Sequence, residues 1–287
     1  MTVSLQGEIA SDYYRTTAYR GHSPTREYYE EAALGILRRL RAWLPANRNA
    51  ACLDLACGCG ETIYALEQAG FVNTSGVDLC GEEVAYGRKY VKGTLFCADA
   101  LSYLRGLDAR SLDFITALNF LEHFDKDILL RILRECERVL RPGGTMVAMV
   151  PNAISPFGSL TRHWDITHEW SFVPNNIYQL AALAGFAANV EFRECGPIAH
   201  GFKSGLRYLA WQFIRALIAA YLVVEVGDTK GGIYSMDMLF RLAVATSSSS
   251  TNSVTGSKRS IGNNTELPVP VTYLKAIARR LGLSHPS

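Results

Sequence analysis

Between residues 51 and 150, five short runs rich in β-forming residues alternate with helical patterns, and this alternation constrains the fold more than any other feature of the chain. The runs are ACLDLA (51–56), NTSGVDL (73–79), GTLFCAD (93–99), LDFITAL (112–118) and TMVAMV (145–150). Strands joined through helices run parallel, and a parallel sheet needs helices on both of its faces. The expected fold is therefore α/β, a Rossmann-like doubly wound sheet with five parallel strands. Before the fifth run, Leu129, Ile132, Leu133, Cys136 and Leu140 mark one helix face, which Pro142-Gly143-Gly144 is expected to end. Upstream, Tyr29, Ala33, Ile36, Leu37, Leu40, Trp43 and Leu44 predict an amphipathic helix over about 25–45, ended by Pro45.

After residue 150 the alternation loosens. The pattern predicts a helix over 176–186, a strand over 188–195, an inserted helix over 203–226 and a last strand over 236–245. These two strands lack a conventional short crossover, so an antiparallel pair at the sheet edge is expected. The serine-rich run after Thr246 reads as a linker, leading to TYLKAIARRLGL at 272–283, a short basic helix. The expected organisation is a helical cap (1–48), the sheet domain (49–246, with its insertion at 203–226), a linker (247–266) and a C-terminal helix (267–287).

Composition bounds the function. With 287 residues and 48% hydrophobic content, the chain can bury one full α/β core. Lys and Arg number 29 against 27 Asp and Glu, a net +2, which gives no electrostatic case for nucleic acid. A small or uncharged substrate is expected instead. The seven cysteines include no CxxC pair, so reduced thiols are expected rather than disulfides or structural zinc. The segment MTVSLQGEIASDYYR lacks the apolar region of a secretory signal, so a cytoplasmic location is expected. Tyr208 to Val224 is largely apolar but is interrupted by Gln212 and Arg215. Its uninterrupted run, Ala216 to Val224, falls short of the roughly 20 residues a span requires. A buried helix, a homodimer contact or a peripheral membrane contact is the expectation for 203–226.

The most informative segment is LDLACGCGETI (53–63), a strand running into a Gly-containing turn and then a helix. Gly58 and Gly60 let backbone approach a ligand where a Cβ would clash. Further on, Asp78 ends the second strand, where an acid can accept both hydrogen bonds of a ribose diol. A dinucleotide fingerprint would place a third small residue where Ile63 stands, and Asp54 would oppose a pyrophosphate. The same carboxylate favours an amino group or a sulfonium.

These residues resemble the class I S-adenosylmethionine-dependent methyltransferases over about 50–245, with the motifs in family order. Asp54-Leu-Ala-Cys-Gly58-Cys-Gly60 matches the first motif, with Ala56 where Gly is commoner. Asp78, beside Leu79, matches the ribose-binding acid. CADA (97–100) matches the third motif, which implies Asp99 at the adenine amine and Ala100 close by. LNFLEHF (118–124), which includes Asn119, resembles the fourth, and LRPGGTMV (140–147) the element that follows. The resemblance thus implies S-adenosyl-L-methionine as cofactor. The bland alternatives are Asp54 as a cap of the turn and Asp99 as an N-cap of the next helix. Cys57 and Cys59 are assigned no chemistry.

Arg162, His163, Asp165, His168 and Glu169 gather after the fifth strand, where open α/β sheets bind ligands. This stretch resembles the acceptor side of bacterial ubiquinone-biosynthesis-like and polysaccharide-associated O-methyltransferases. The resemblance implies methylation of a sugar hydroxyl of a glycan or glycan precursor. The alternatives are a quinone, phenol or lipid-linked small molecule, or a catalytically silent cofactor-binding scaffold subunit. A sugar hydroxyl needs a base, so His168 and His123 are the candidate catalytic residues, with His168 favoured because it lies on the acceptor side. Glu122, His123, Asp165, His168 and Glu169 offer a metal route instead, but Asn119 stands where a further acid is wanted, and no metal is assigned.

Overall fold

A computed structural model describes residues 24–187 and 190–246. The linker expected over 247–266 and the helix expected over 267–287 lie outside these residues. The described chain opens with α1 (Arg26–Leu40), then β1 (Cys52–Leu55), α2 (Glu61–Gln68), β2 (Thr74–Asp78), α3 (Gly81–Gly87), β3 (Thr94–Cys97), α4 (Ala100–Gly106) and β4 (Leu112–Leu118). A 3-10 turn at Leu121–His123 precedes α5 (Lys126–Val139) and β5 (Leu140–Pro151). Then follow α6 (Gly158–Arg162), α7 (Pro174–Ala184), β6 (Glu191–Glu194), α8 (Phe202–Val226) and β7 (Asp237–Ala243).

The seven strands form one sheet in the order β3-β2-β1-β4-β5-β7-β6. β1 to β5 pair in parallel, while β7 pairs antiparallel with both β5 and β6. The expected five parallel strands and antiparallel edge pair are both present. Adjacent residues of β4 show why the centre must be parallel and covered. Phe114 and Ile115 are fully buried on opposite faces, in separate apolar clusters. One face holds Leu53, Ile115, Leu133 and Met146 against α5 and α7. The other holds Cys52, Phe114, Val147 and Leu239, with Leu40 of α1 and Trp43 packed on them.

One boundary differs from the sequence pattern. The helix before β5 ends at Val139, not at Pro142-Gly143-Gly144, and Leu140 is already extended at φ −71°, ψ 136°. Leu140 pairs with Leu112, and the register then shifts before Phe114 pairs with Thr145. The Pro-Gly-Gly triplet thus forms the irregular start of a strand. Gly144 is required there, since a Cβ would lie 2.8 Å from the Arg141 carbonyl.

The order of strands reverses between β1 and β4, and the crevice outside their carboxyl ends is where such sheets bind ligands. Four residues in this region or just before it have left-handed backbones: Ala56 (φ 54°), Gly58 (φ 51°), Gly60 (φ 87°) and Asn119 (φ 56°).

Candidate active site

A cavity of about 490 Å³ opens at these strand ends, within the roughly 300–1,000 Å³ usual for small-molecule sites. Asp54, Ala56, Gly58, Asp78, Leu79, Asp99, Ala100, Asn119 and His123 all line it. Of the residues singled out in the sequence, Gly60 and His168 are not among the lining residues. Gly60 is the N-cap of α2, and a Cβ there would press on Val91 at 3.2 Å. Its role is to let the turn enter the helix.

The turn is tied to its surroundings by backbone. Gly60 N donates to the Cys57 carbonyl at 2.7 Å and Cys57 N to the Val77 carbonyl at 3.1 Å. From α1, the Tyr29 hydroxyl donates to the Cys59 carbonyl at 2.6 Å, so the helix ahead of the sheet also braces the turn. Cys57 and Cys59 are buried packing residues, and burial pushes the Cys57 thiol up. A Cβ at Gly76 would fall 2.7 Å from the Cys57 side chain, which explains glycine in the middle of β2.

Acids dominate the cavity's chemistry. Asp54 is buried and accepts from the Thr116 hydroxyl at 2.5 Å. Asp78 accepts from Gly58 N and Cys80 N, each at 2.8 Å and each on a different oxygen. The Leu79 backbone also favours its ionised form, and a carboxylate with about four acceptor sites keeps capacity for a ribose hydroxyl. Asp99 caps α4, its Oδ1 accepting from Ser102 N at 2.8 Å, while it stands on the cavity wall. Sequence reasoning passed over Glu83, which is buried on the same wall in the first turn of α3. Its signal was a second acid following Asp78 into a helix, unremarkable without knowledge of its burial. Burial, with smaller contributions from Asp78 and Glu61, raises Glu83 to about 8. Burial also raises Asp54 to about 7 and moves Asp78 upward. Glu61 lines the cavity too, and among the described residues no Lys or Arg does. Five carboxyl groups and no fixed cation among the described lining residues suit a positively charged ligand and oppose a diphosphate.

On the far side, His123 meets Thr167, whose hydroxyl lies 2.7 Å from His123 Nδ1 and donates to Asp165 Oδ1 at 2.7 Å. Burial, and then the neighbouring His168, lowers His123 to about 4, whereas Asp165 and a hydrogen bond to the Asn119 backbone favour its charged form. His168 packs behind it, ring centroids 4.8 Å apart. Its Nδ1 donates to the Thr161 carbonyl at 2.8 Å, and Arg162 donates to the His168 backbone carbonyl. The polar residues after β5 are thus largely engaged with one another and with backbone. Glu122 is 1% exposed, and its Oε2 has no hydrogen-bond partner among the described residues. Its ligand atom and those of His123 and His168 lie within 4.8 Å of one another. Burial raises Glu122 to about 8. Asp165 and Glu169 fall outside this cluster.

A family model described as a methyltransferase domain matches residues 25–191, more than half of the chain. The chain belongs to the methyltransferase-domain family. No curated protein matches the sequence. The fold of this methyltransferase is similar to that of an S-adenosylmethionine-dependent methyltransferase from Archaeoglobus fulgidus. That pair has a TM-score of 0.56 and 19% identity, covering 80% of this chain and 97% of the other. It is also similar to a putative methyltransferase of Haloferax volcanii in complex with the Trm112 activator (TM-score 0.54, 17% identity, 77% and 92% covered). A third likeness is to phosphoethanolamine N-methyltransferase 2 of Haemonchus contortus, bound to phosphomonomethylethanolamine and S-adenosylhomocysteine. There the TM-score is 0.54 and the identity 15%, with 83% of this chain and 60% of the other covered.

S-adenosylmethionine presents a sulfonium, an amino group, a ribose diol and an adenine amine. The acids of this methyltransferase's cavity can accept from the amino group, the diol and the adenine amine and balance the sulfonium charge, so the residues present fit that cofactor.

Proposed function

We propose that this methyltransferase transfers the methyl group of S-adenosylmethionine to a hydroxyl of a sugar, in a glycan or glycan precursor, with His123 as the proton acceptor. The cofactor, when bound, supplies an electrophilic methyl group on a sulfonium. In this reading Asp78 holds the ribose diol, Asp54 faces the amino group, and Asp99 meets the adenine amine while capping α4. The chain's remaining task is to align the acceptor and remove its proton.

The observation that carries the reading is the position of His123. It lines the same cavity as the acids, burial keeps it neutral, and Asp165 stands behind it through Thr167. A neutral imidazole can take the hydroxyl proton, and Asp165 then opposes the new positive charge. The sequence favoured His168, but His168 is not among the residues lining the cavity and its ring packs against His123, which is. We assign His168 to positioning.

Two observations support other readings of the same site. Phe157, Leu160, Trp164 and Ile166 are exposed on the acceptor side, which favours a lipid-linked, quinone or phenol acceptor. The partnerless Glu122 Oε2 beside His123 and His168 favours a divalent cation at those three residues. Transfer of labelled methyl to a panel of free sugars, lipid-linked sugars, quinones and phenols, with and without chelator, decides among them. Label on sugars that survives chelation supports the first reading. Label confined to quinones or phenols replaces its acceptor, and loss on chelation that a divalent ion restores replaces its base. Cofactor binding with transfer to none of them would leave a silent scaffold.

A further inference from the structure

α8 is the element that the methyl-transfer chemistry leaves unused. It runs 25 residues with none of them buried, and it is long and apolar enough, by length and composition, to cross a membrane. It is longer than the apolar run legible in the sequence. One face is held to the domain: Trp211 Nε1 donates to Glu194 Oε2 at 3.0 Å, and Arg215 pairs with the same carboxylate at 2.9 Å. Arg215 also donates to the Gly232 carbonyl. The opposite face carries Phe202, Leu206, Leu209, Phe213, Leu217 and Val224, spaced i, i+4, i+7, i+11, i+15 and i+22 and between 56% and 91% exposed. That stripe extends about 33 Å without a charged residue in it. Lys203 and Arg207 flank its beginning.

Topology places this helix relative to the cavity. β6 ends at Glu194, opposite Met238, and β7 begins at Asp237, opposite Pro151. The excursion that contains α8 therefore leaves and rejoins the sheet at its carboxyl edge, the edge that holds the cavity. Asn152 secures the return by donating to the Ile233 and Ser235 carbonyls, each at 2.9 Å. The second exposed apolar group, Phe157, Leu160, Trp164 and Ile166, follows β5 at that same edge.

We propose that this edge docks on an anionic bilayer, with α8 lying in the membrane plane and its Phe202-to-Val224 stripe among the acyl chains. A flat bilayer accounts for both apolar groups, whereas pairing with a second copy along α8 covers only the stripe. Lys203 and Arg207 meet anionic headgroups, as basic flanks of interfacial helices do. A span is opposed by Arg215, which would leave Glu194 and the Gly232 carbonyl for hydrocarbon. Docking presents the cavity's edge of the sheet to the headgroup layer, where a lipid-linked acceptor resides. The proposal rests on the outer surface and not on the identity of the acceptor or the base.

The test is flotation of the full chain with vesicles of phosphatidylcholine alone, or of two parts phosphatidylcholine to one part phosphatidylglycerol. Binding is expected to the second, weakened by salt and released by alkaline carbonate. Phe213→Glu with Leu217→Glu should weaken it by more than about tenfold. Calorimetric affinity for S-adenosylmethionine in that variant should match the parent, which shows that it folds and keeps this test separate from the methyl-transfer reading. Three results overturn the proposal: no flotation with either vesicle, retention in the membrane through carbonate, or a dimer in solution that the double variant converts to monomer without any vesicle binding.

Discussion

The two sides of the cavity, which the proposed reading gives to donor and acceptor, are built by different means. Around the donor, the groups come from the ends of successive strands and are set by backbone: left-handed residues at 56, 58 and 60, with Gly58 N and Cys80 N on Asp78. Around the acceptor, side chains tie loops to one another. Asp165 is used by Thr167, His168 by the Thr161 carbonyl, and Asn152 by the carbonyls of Ile233 and Ser235. A site held by backbone tolerates the loss of a side chain without losing its shape. A site held by side chains transmits that loss to its neighbours. Substitutions on the two sides should therefore fail in different ways.

The largest expected effect is at His123. If it removes the acceptor's proton, His123→Ala lowers single-turnover methyl transfer by about 10²–10⁴-fold, with part of the activity returned by added imidazole. His168→Ala should cost less and should not respond to imidazole, because that residue acts through His123. Imidazole rescue of His168→Ala instead would exchange the two roles and restore the order expected from sequence.

Next comes Asp78. Replacing it with alanine removes charge-assisted bonds worth about 1.5–3 kcal/mol, so calorimetry should show S-adenosylmethionine bound about 10–150-fold more weakly. The turn itself should survive, since the Cys57 and Gly60 backbone bonds do not involve Asp78. Collapse of the fold in Asp78→Ala would show that the donor side depends on side chains after all.

pH gives a smaller and more graded effect. Burial raises Asp54 to about 7 and Glu83 to about 8 in the cofactor-free chain. Both carboxyls thus hold protons at a pH where the unfolded chain has released them. Their contribution to folding stability is full below about pH 4 and is lost as pH rises through about 7 and 8. A cationic ligand reverses the preference by favouring the ionised forms. Affinity for S-adenosylmethionine should therefore strengthen between pH 6 and 8, by at most about tenfold per pH unit for each proton released. The melting temperature of the cofactor-free chain should fall over the same interval. Affinity that does not vary from pH 6 to 8 would remove these acids from the ligand's surroundings.

The contrast also explains what the sequence made legible. That Asp54, Gly58, Asp78 and Asp99 would meet at one cavity was readable because the pattern is local: an acid, a turn that needs glycine and a strand end recur in a fixed order. The parallel strands were readable from their apolar runs, and β4 matches its expected limits, 112–118. Glu83 and Glu122 were not readable as buried groups, because burial of an acid depends on which helices pack over it. The relative positions of His123 and His168 were hidden for the same reason, since residues 44 apart, His123 and Thr167, meet only in the folded chain. The start of β5 was misread because Pro-Gly-Gly is the punctuation of a helix end, and here it accommodates a shift of strand register.

The smallest predicted effect tests whether the donor side is as local as its backbone suggests. Ala56 sits at φ 54°, where a Cβ is strained and glycine is not, in the position of the first motif that glycine more commonly fills. Removing the Cβ relieves that strain in the folded chain but gives the unfolded chain more freedom, so the two changes partly offset. The first should win, because alanine at positive φ costs more than the entropy it saves. Ala56→Gly is expected to stabilise the cofactor-free protein by about 0.5–1 kcal/mol, a rise of about 1–4 °C in melting temperature. Asn119, also left-handed at φ 56°, provides the control, since asparagine tolerates this region and Asn119→Gly should gain less. Thermal denaturation of the two variants beside the parent measures the difference. If Ala56→Gly melts no higher than the parent, contacts from outside the turn hold its backbone, and the donor side depends on packing as the acceptor side does.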